Sequence, residues 1–366
     1  MHRRRYGTRQ DLEKRAGPEV GGDEKGDTMT RMTTPGLHLR LTIKRGLALA
    51  ACAVAASTAL AQPQGEAQDY PNKPITVVVA FGPGGAGDLV TRRVAQAMSA
   101  TTGQPVIVEN RPGAGAAAAA VTVARSRPDG YTILLTGNGT AISSVLFQNL
   151  PYSLARDFRH VSSIASFDLG LIVDGQSPFK SVANVIAFAR ANPGKLTIGT
   201  SRIGSTQHLA AEMFKSMAGI DAVSVPYKTT GEMVSAVRAN DVQVAFEVLS
   251  PILGQLSSNA IRAVAVTANK RFPGLPDVPT VAEGGVPGFD ASSWAGFSVP
   301  AATPTAVVHK LSAIVQAAVT SPDVQSSLQG MGYVASASTP EQMTARMNDD
   351  AAKWKKVIVQ AEIPLQ

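Results

Sequence analysis

Cysteine is the scarcest residue in this chain: there is one, Cys52, and none follows it. A chain without later thiols suits an oxidising compartment and needs no disulfide. Histidine is nearly as sparse. Beyond residue 61 only His160, His208 and His309 remain, isolated from one another, and no His, Cys or carboxylate cluster has the spacing of a metal site. No Walker A pattern occurs. Aromatics make up 5% of the chain against 44% hydrophobic residues, so the cores must be built from Val, Ile, Leu and Ala, as in α/β proteins. The apolar run at 46–60 is too short to span a bilayer.

The basic excess thins out along the chain. Residues 1–61 carry 11 of the 34 Lys and Arg and 6 of the 27 Asp and Glu, which leaves 23 basic and 21 acidic residues, a net of +2. The overall pI of 9.6 therefore gives no argument for nucleic acid binding. Residues 1–28 are polar, charged and aperiodic, and read as disordered or as sequence upstream of a true start at Met29 or Met32. From Met32 the chain has a basic segment (Arg40, Lys44, Arg45), the apolar run 46–60 and Ala59-Leu60-Ala61. That is the n-region, h-region and cleavage site of a secretory signal peptide. Leu49-Ala50-Ala51-Cys52 also has the form of a lipoprotein processing box, but the apolar run before it is very short, which favours cleavage after Ala61.

The roughly 305 residues that follow suit two domains or one large one. They are organised around 75–88, I-T-V-V-V-A-F-G-P-G-G-A-G-D. A β-branched run feeds a turn with four glycines in six residues (82–87), and Asp88 opens a helical pattern. Free N–H groups and the helix dipole make such a strand–turn–helix an anion site. The same residues pose an alternative. Gly82, Gly84 and Gly87 spell G-x-G-x-x-G, and Glu109 ends the next apolar run where a dinucleotide fold places its ribose-binding acid.

Strand and helix patterns alternate onward. Strands are predicted at 75–81, 106–109 and 132–136, helices at 89–100 and 116–124, and a turn at 110–115. A second strand–turn–helix unit spans 196–217, with its turn at 201–205. Strands follow at 223–225, 242–246 and 261–267, with a helix at 232–239. Helices close the chain at 304–319, 322–329 and 341–360, and three prolines mark an irregular loop at 271–279. This alternation predicts a parallel sheet flanked by helices. Two lobes that each offer an anion-type turn to a shared cleft would make a hinged binding protein. Ser201 with His208 begins like a hydrolase elbow, but the final glycine is missing.

Several further motifs sharpen the reading. Tyr70-Pro71-Asn72-Lys73-Pro74-Ile75 is followed by Phe81-Gly82-Pro83-Gly84-Gly85 with Asp88, and by Val108-Glu109-Asn110-Arg111-Pro112-Gly113-Ala114-Gly115. Pro128-Asp129-Gly130-Tyr131-Thr132, Leu150-Pro151-Tyr152 and Arg156-Asp157-Phe158 come next. Gly204-Ser205 with His208-Leu209, Val225-Pro226-Tyr227-Lys228, Leu275-Pro276-Asp277-Val278-Pro279-Thr280 and Ser293-Trp294 complete the series. In number and order these motifs resemble the periplasmic solute-binding receptors of tripartite tricarboxylate transporters, the Bug or TctC-like family, from Tyr70 to the C-terminus.

The resemblance implies an α/β, two-lobed, type II periplasmic-binding fold with a ligand cleft between the lobes. After the leader at 1–61, one lobe comprises 62–169 and 295–366 and the other 170–294. It implies a periplasmic receptor for a small organic acid, not an enzyme, with no catalytic residue, metal or cofactor. The implied partners are a small carboxylate and membrane transporter subunits or a sensor, without nucleic acid, and the chain is expected to be a monomer. The ligand carboxylate would sit between two turns held by backbone N–H groups. These match Phe81, Gly82, Pro83, Gly84 and Gly85, running into Ala86, and Ser201, Arg202, Ile203, Gly204 and Ser205. Asn138, Tyr227 and Glu247 complete the expected contacts. Valine at Gly84 or Gly85 is expected to crowd the anion and to oppose any positive φ there. Glu109 becomes part of a structural turn, and Pro83 and export both weigh against the dinucleotide alternative. Three departures stand out. Arg202 replaces a small residue and either clamps a carboxylate or points to solvent. Glu247 replaces Asp and could shorten the pocket. Residues 116–120, all alanine, replace a Gly-Gly-Asn-Ile-Gly segment. Asp88 is read as a helix cap first and a ligand contact second.

Overall fold

β1 (Ile75–Val79) is a β-branched run with Ile75, Val77, Val78 and Val79 buried, so both of its faces must be covered. The computed structural model describes residues 69–366; the expected signal peptide and its expected cleavage site, Cys52 and the candidate starts lie outside them. β1 leads through the first glycine turn into α1 (Ala86–Thr102), and then come β2 (Val106–Asn110), α2 (Ala117–Ala124), β3 (Thr132–Gly137) and α3 (Asn138–Leu146). A single turn, α4 (Leu154–Asp157), precedes β4 (Phe158–Phe167).

The second sheet starts at β5 (Leu169–Asp174) and continues with α5 (Val182–Ala191), β6 (Leu196–Thr200) and α6 (Thr206–Ala218). β7 (Ala222–Pro226), α7 (Thr230–Arg238), β8 (Val244–Val248), α8 (Leu253–Ser257) and β9 (Ile261–Val266) follow. The chain then returns to the first sheet with β10 (Ser293–Pro300), α9 (Thr305–Thr320), α10 (Pro322–Gly330), β11 (Val334–Ala335) and α11 (Pro340–Gln360).

The strand orders are β11-β4-β10-β3-β1-β2 and β7-β6-β8-β5-β9. The expected parallel sheet is corrected here, because both sheets are mixed. β1 runs parallel to β2 and β3, and β6 to β7 and β8, but β10 is antiparallel to β3 and β4, and β5 to β8 and β9. The antiparallel strands are the ones that carry the chain between sheets. Only Asp168 separates β4 from β5. It is 6% exposed. Burial and the charge of Asp290, at the return crossing, push its carboxyl up to about 6, with Arg346 of α11 opposing them.

Each sheet is covered on both faces. Val90, Val94 and Met98 of α1 share a cluster with Val307, Leu311 and Val315 of α9, while Ala119, Ala120 and Val123 of α2 pack with Trp294, Met343 and Met347. In the second sheet, α5 and α6 cover one face and α7 the other. One cluster ignores the division between sheets. Ile142 and Leu146 of α3, with Trp354, Val357 and Ile358 of α11, lie in the same core as Leu171, Ile198 and Phe214 of the second sheet. Trp354 Nε1 donates to Asn138 Oδ1 at 2.6 Å, and Asn138 Nδ2 donates to Thr206 Oγ1 at 2.8 Å. Asn138 and Trp354, 216 positions apart in the chain, are thereby linked to the start of α6.

Candidate functional site

The first turn is built by Asp88. This residue is the third of α1, it is 1% exposed, and its Oδ2 accepts the Gly84 N–H at 2.9 Å. Asn110 Nδ2 donates to Asp88 Oδ1 at 2.8 Å and to the Phe81 carbonyl at 3.0 Å, while Arg92 Nε donates to Asp88 Oδ2 at 3.0 Å. Burial would push the carboxyl up. The bonds from Arg92, Asn110 and Gly84, with the charge of Arg92, outweigh it and hold the group below the usual carboxylate range. Asp88 is thus a cap that closes the turn from beneath. Gly84 has φ +82°, where glycine is the natural occupant. Gly85 has φ −71° and no such need. A Cβ at Gly87 would come within 2.8 Å of the Phe81 ring, so the third glycine of the motif serves close packing. The first-turn N–H groups of α1 at Ala86 and Gly87 have no intrahelical acceptor.

The depressed carboxyl of Asp88 ties folding stability to pH. Its stabilising effect should be complete above the ordinary Asp pKa and be lost as pH falls through the lower folded-state value. Asp88→Ala should cost about 1–3 kcal/mol at neutral pH, the range for stranded buried partners. In urea denaturation it should also flatten the acid limb of the stability curve. An unchanged acid limb would mean that Asp88 carries no such linkage.

The second turn follows β6 in the same way. Ser205 caps α6, with Oγ accepting the His208 N–H at 3.1 Å, and Ser205 N–H closes the turn on the Arg202 carbonyl at 3.0 Å. Gly204 has φ +78°, and a Cβ there would run into Leu146 Cδ2 of α3. The turn is therefore seated on an element of the first sheet. Ser201 is half-buried, whereas Arg202 and Ile203 are exposed at the tip. No hydrogen bond joins Ser201 to His208 among the described residues. The His208 Nδ1 is buried without a hydrogen-bond partner among the described residues, and burial lowers the pKa of the ring. The hydrolase elbow, already incomplete in the sequence, is not assembled.

The other expected residues lie behind the turns. Asn138 is fully buried with both ends of its amide engaged, as described above. Tyr227 is half-buried just past β7, and its N–H is bonded to the Thr200 carbonyl at 2.8 Å. Glu247, 3% exposed, reaches Gln207 and Thr230. Phe81 is 47% exposed and Ile203 55%, which puts one apolar side chain on each turn. Pro83, Gly82 and Ala86 complete the first turn, with Gly82 in open space. Residues 117–120 begin α2, and Ala119 and Ala120 face the core rather than the turn.

Several groups that shape this region are absent from the sequence reading: Asn110 and Arg92 under the first turn, Leu146 and Thr206 under the second, Gln207 and Thr230 around Glu247. Only Asn110 carried a signal, its place in the Glu109-Asn110-Arg111-Pro112 motif. Two adjoining cavities of about 320 and 580 Å³ share Leu154, Ala155, His160 and Asn348, and none of the turn residues lines either. Among the described residues no group of three His, Cys, Asp or Glu could hold a metal ion, and no helix is long and apolar enough to cross a membrane.

Residues 90–363 match the family described as tripartite tricarboxylate transporter family receptor. The chain belongs to this receptor family. The receptor is 34% identical over 319 residues to a UPF0065 protein in the tcbD-tcbE intergenic region of Pseudomonas sp. (strain P51), covering 87% of this chain and 95% of the relative. A solved R. palustris protein, Rpa4515 with adipate, shares 33% identity at a TM-score of 0.68 over 81% of this chain and 99% of its own. MatC from Rhodopseudomonas palustris, with bound malate, shares 29% at 0.65 over 79% and 100%. The receptor thus has the two-lobed α/β fold of periplasmic binding proteins. The dinucleotide-dependent oxidoreductase alternative is not supported. Glu109, its expected ribose ligand, is bonded instead to Arg111 two residues on, at 2.6 Å.

Proposed function

We propose that this receptor is exported to the periplasm, with its leader removed after Ala61, and captures a small organic acid without catalysis. The lobes are taken as 62–169 with 295–366, and 170–294, closing as a monomer on one carboxylate between the glycine turns. Membrane transporter subunits or a sensor would receive the loaded form. One observation carries the reading: two turns, each leaving a strand end and opening a helix N-terminus, with positive φ at Gly84 and Gly204. The adipate and malate held by the two Rhodopseudomonas proteins support a carboxylate as the ligand. Arg202, exposed on the second turn without an ion pair among the described residues, adds a guanidinium suited to bidentate capture.

A thermal-shift screen of di- and tricarboxylates, acidic amino acids, aromatic acids and nicotinate tests this. A ligand at 100 times its Kd should stabilise the fold by about 2.7 kcal/mol. Arg202→Ala should then weaken binding by about 1.5–3 kcal/mol, the range for charged hydrogen bonds. Unchanged affinity would place Arg202 outside the site, and no stabilisation by any acid would end the carboxylate reading.

A further inference from the structure

Behind the second turn the protein holds a carboxylate of its own. Glu247 stands at the C-terminal end of β8, between two helices that pack on opposite faces of the second sheet. Oε1 accepts Gln207 Nε2 of α6 at 3.0 Å and the Val248 N–H at 2.7 Å, and Oε2 accepts Thr230 Oγ1 of α7 at 3.0 Å. No Lys, Arg or His pairs with it among the described residues. Burial pushes its carboxyl above the usual range, against the pull of those three bonds. One internal anion is thus held by side chains from the first turns of α6 and α7.

A ligand carboxylate on the second turn would take the same end of α6, whose second residue, Gln207, is bonded to Glu247. Two like charges on one helix terminus in a poorly solvated site cannot both stay ionised at little cost. We infer that Glu247 takes up a proton from solvent when a ligand carboxylate settles on the second turn, so that capture is proton-linked and Glu247 sets its pH dependence. The inference rests on the carboxylate reading above. The bonding pattern admits only one place for the proton. Oε1 faces two N–H donors and can only accept. Oε2 faces a hydroxyl, and Thr230 Oγ1 can reverse from donor to acceptor without moving.

On α6 the titratable groups are His208, Glu212 and Lys215, on the turn Arg202, and ahead of α7 Lys228. At the start of α7, Glu232 accepts the Lys228 N–H at 3.2 Å, with Tyr227 alongside. On β5 the residue paired with Glu247 is Gly170, which has no charge.

Calorimetric titration with adipate, malate and citrate as probes, in two buffers of different ionisation heat, measures the protons taken up per ligand. The unaltered chain should take up protons where both the probe and Glu247 of the free chain are ionised, and its affinity should there fall with rising pH by up to about tenfold per unit. Glu247→Gln should bind with no uptake and a flat pH profile, Glu247→Asp should restore the uptake, and His208→Gln should leave it intact. Binding by the unaltered chain without uptake, or uptake that survives in Glu247→Gln, overturns the role of Glu247 alone. If no carboxylate binds at any pH, the capture reading fails and the proton linkage falls with it.

Discussion

Trp354→Ala should cost about 3–5 kcal/mol of folding stability, the range for deleting a fully buried large aromatic. The indole is 0% exposed and lies where α3, α11 and the second-sheet core meet, so its loss opens a cavity at the junction of the two sheets. It also strands Asn138 Oδ1, which accepts the indole N–H in a buried site. Trp354→Phe separates the two effects. It refills most of the volume but leaves the acceptor unpaired, and should cost about 1–3 kcal/mol. Urea unfolding followed by circular dichroism reads both. An alanine variant within about 1 kcal/mol of the parent would mean that α11 does not tie the sheets together.

Gly204→Val should cause the larger loss of ligand binding among glycine variants. At φ +78° a β-branched residue is strained by about 1–2 kcal/mol, and its Cβ would also press on Leu146, so the turn must lift from α3. A carboxylate held by N–H groups of that turn should bind at least about tenfold more weakly, equivalent to 1.4 kcal/mol. Gly84→Val is strained by its φ of +82° but meets open space, so its effect should be smaller. Gly85→Val should be nearly silent for folding, because its φ is ordinary and its closest new neighbour is the Gly82 carbonyl at 3.4 Å. That separates Gly85 from Gly84, which the sequence alone treated as a pair. Isothermal titration with the best acid from the screen ranks the three. Normal affinity in Gly204→Val would remove the second turn from the site.

What the sequence determined is local. β-branched runs before glycine turns placed β1 and β6. The 3.6-residue apolar spacing placed α1 and α6 to within a few residues, and the ordered motifs pointed to the receptor family. These features depend on neighbours three or four positions away, which the chain itself supplies. Tertiary structure decided the rest. β4 was illegible because Ser162, Ser163 and His160 interrupt any strand pattern, and their burial makes sense only once Ser336, Ser338 and Ser298 arrive from far along the chain to bond them. The mixed sheets follow from the two crossings, whose direction no periodicity records. Asn138 and Glu247 are expected contacts in the sequence, but the bonds they make in the fold are not legible there. A buried amide or carboxylate takes its meaning from the donors and acceptors around it. Those came from Trp354 and Thr206 in one case and from the starts of two helices in the other.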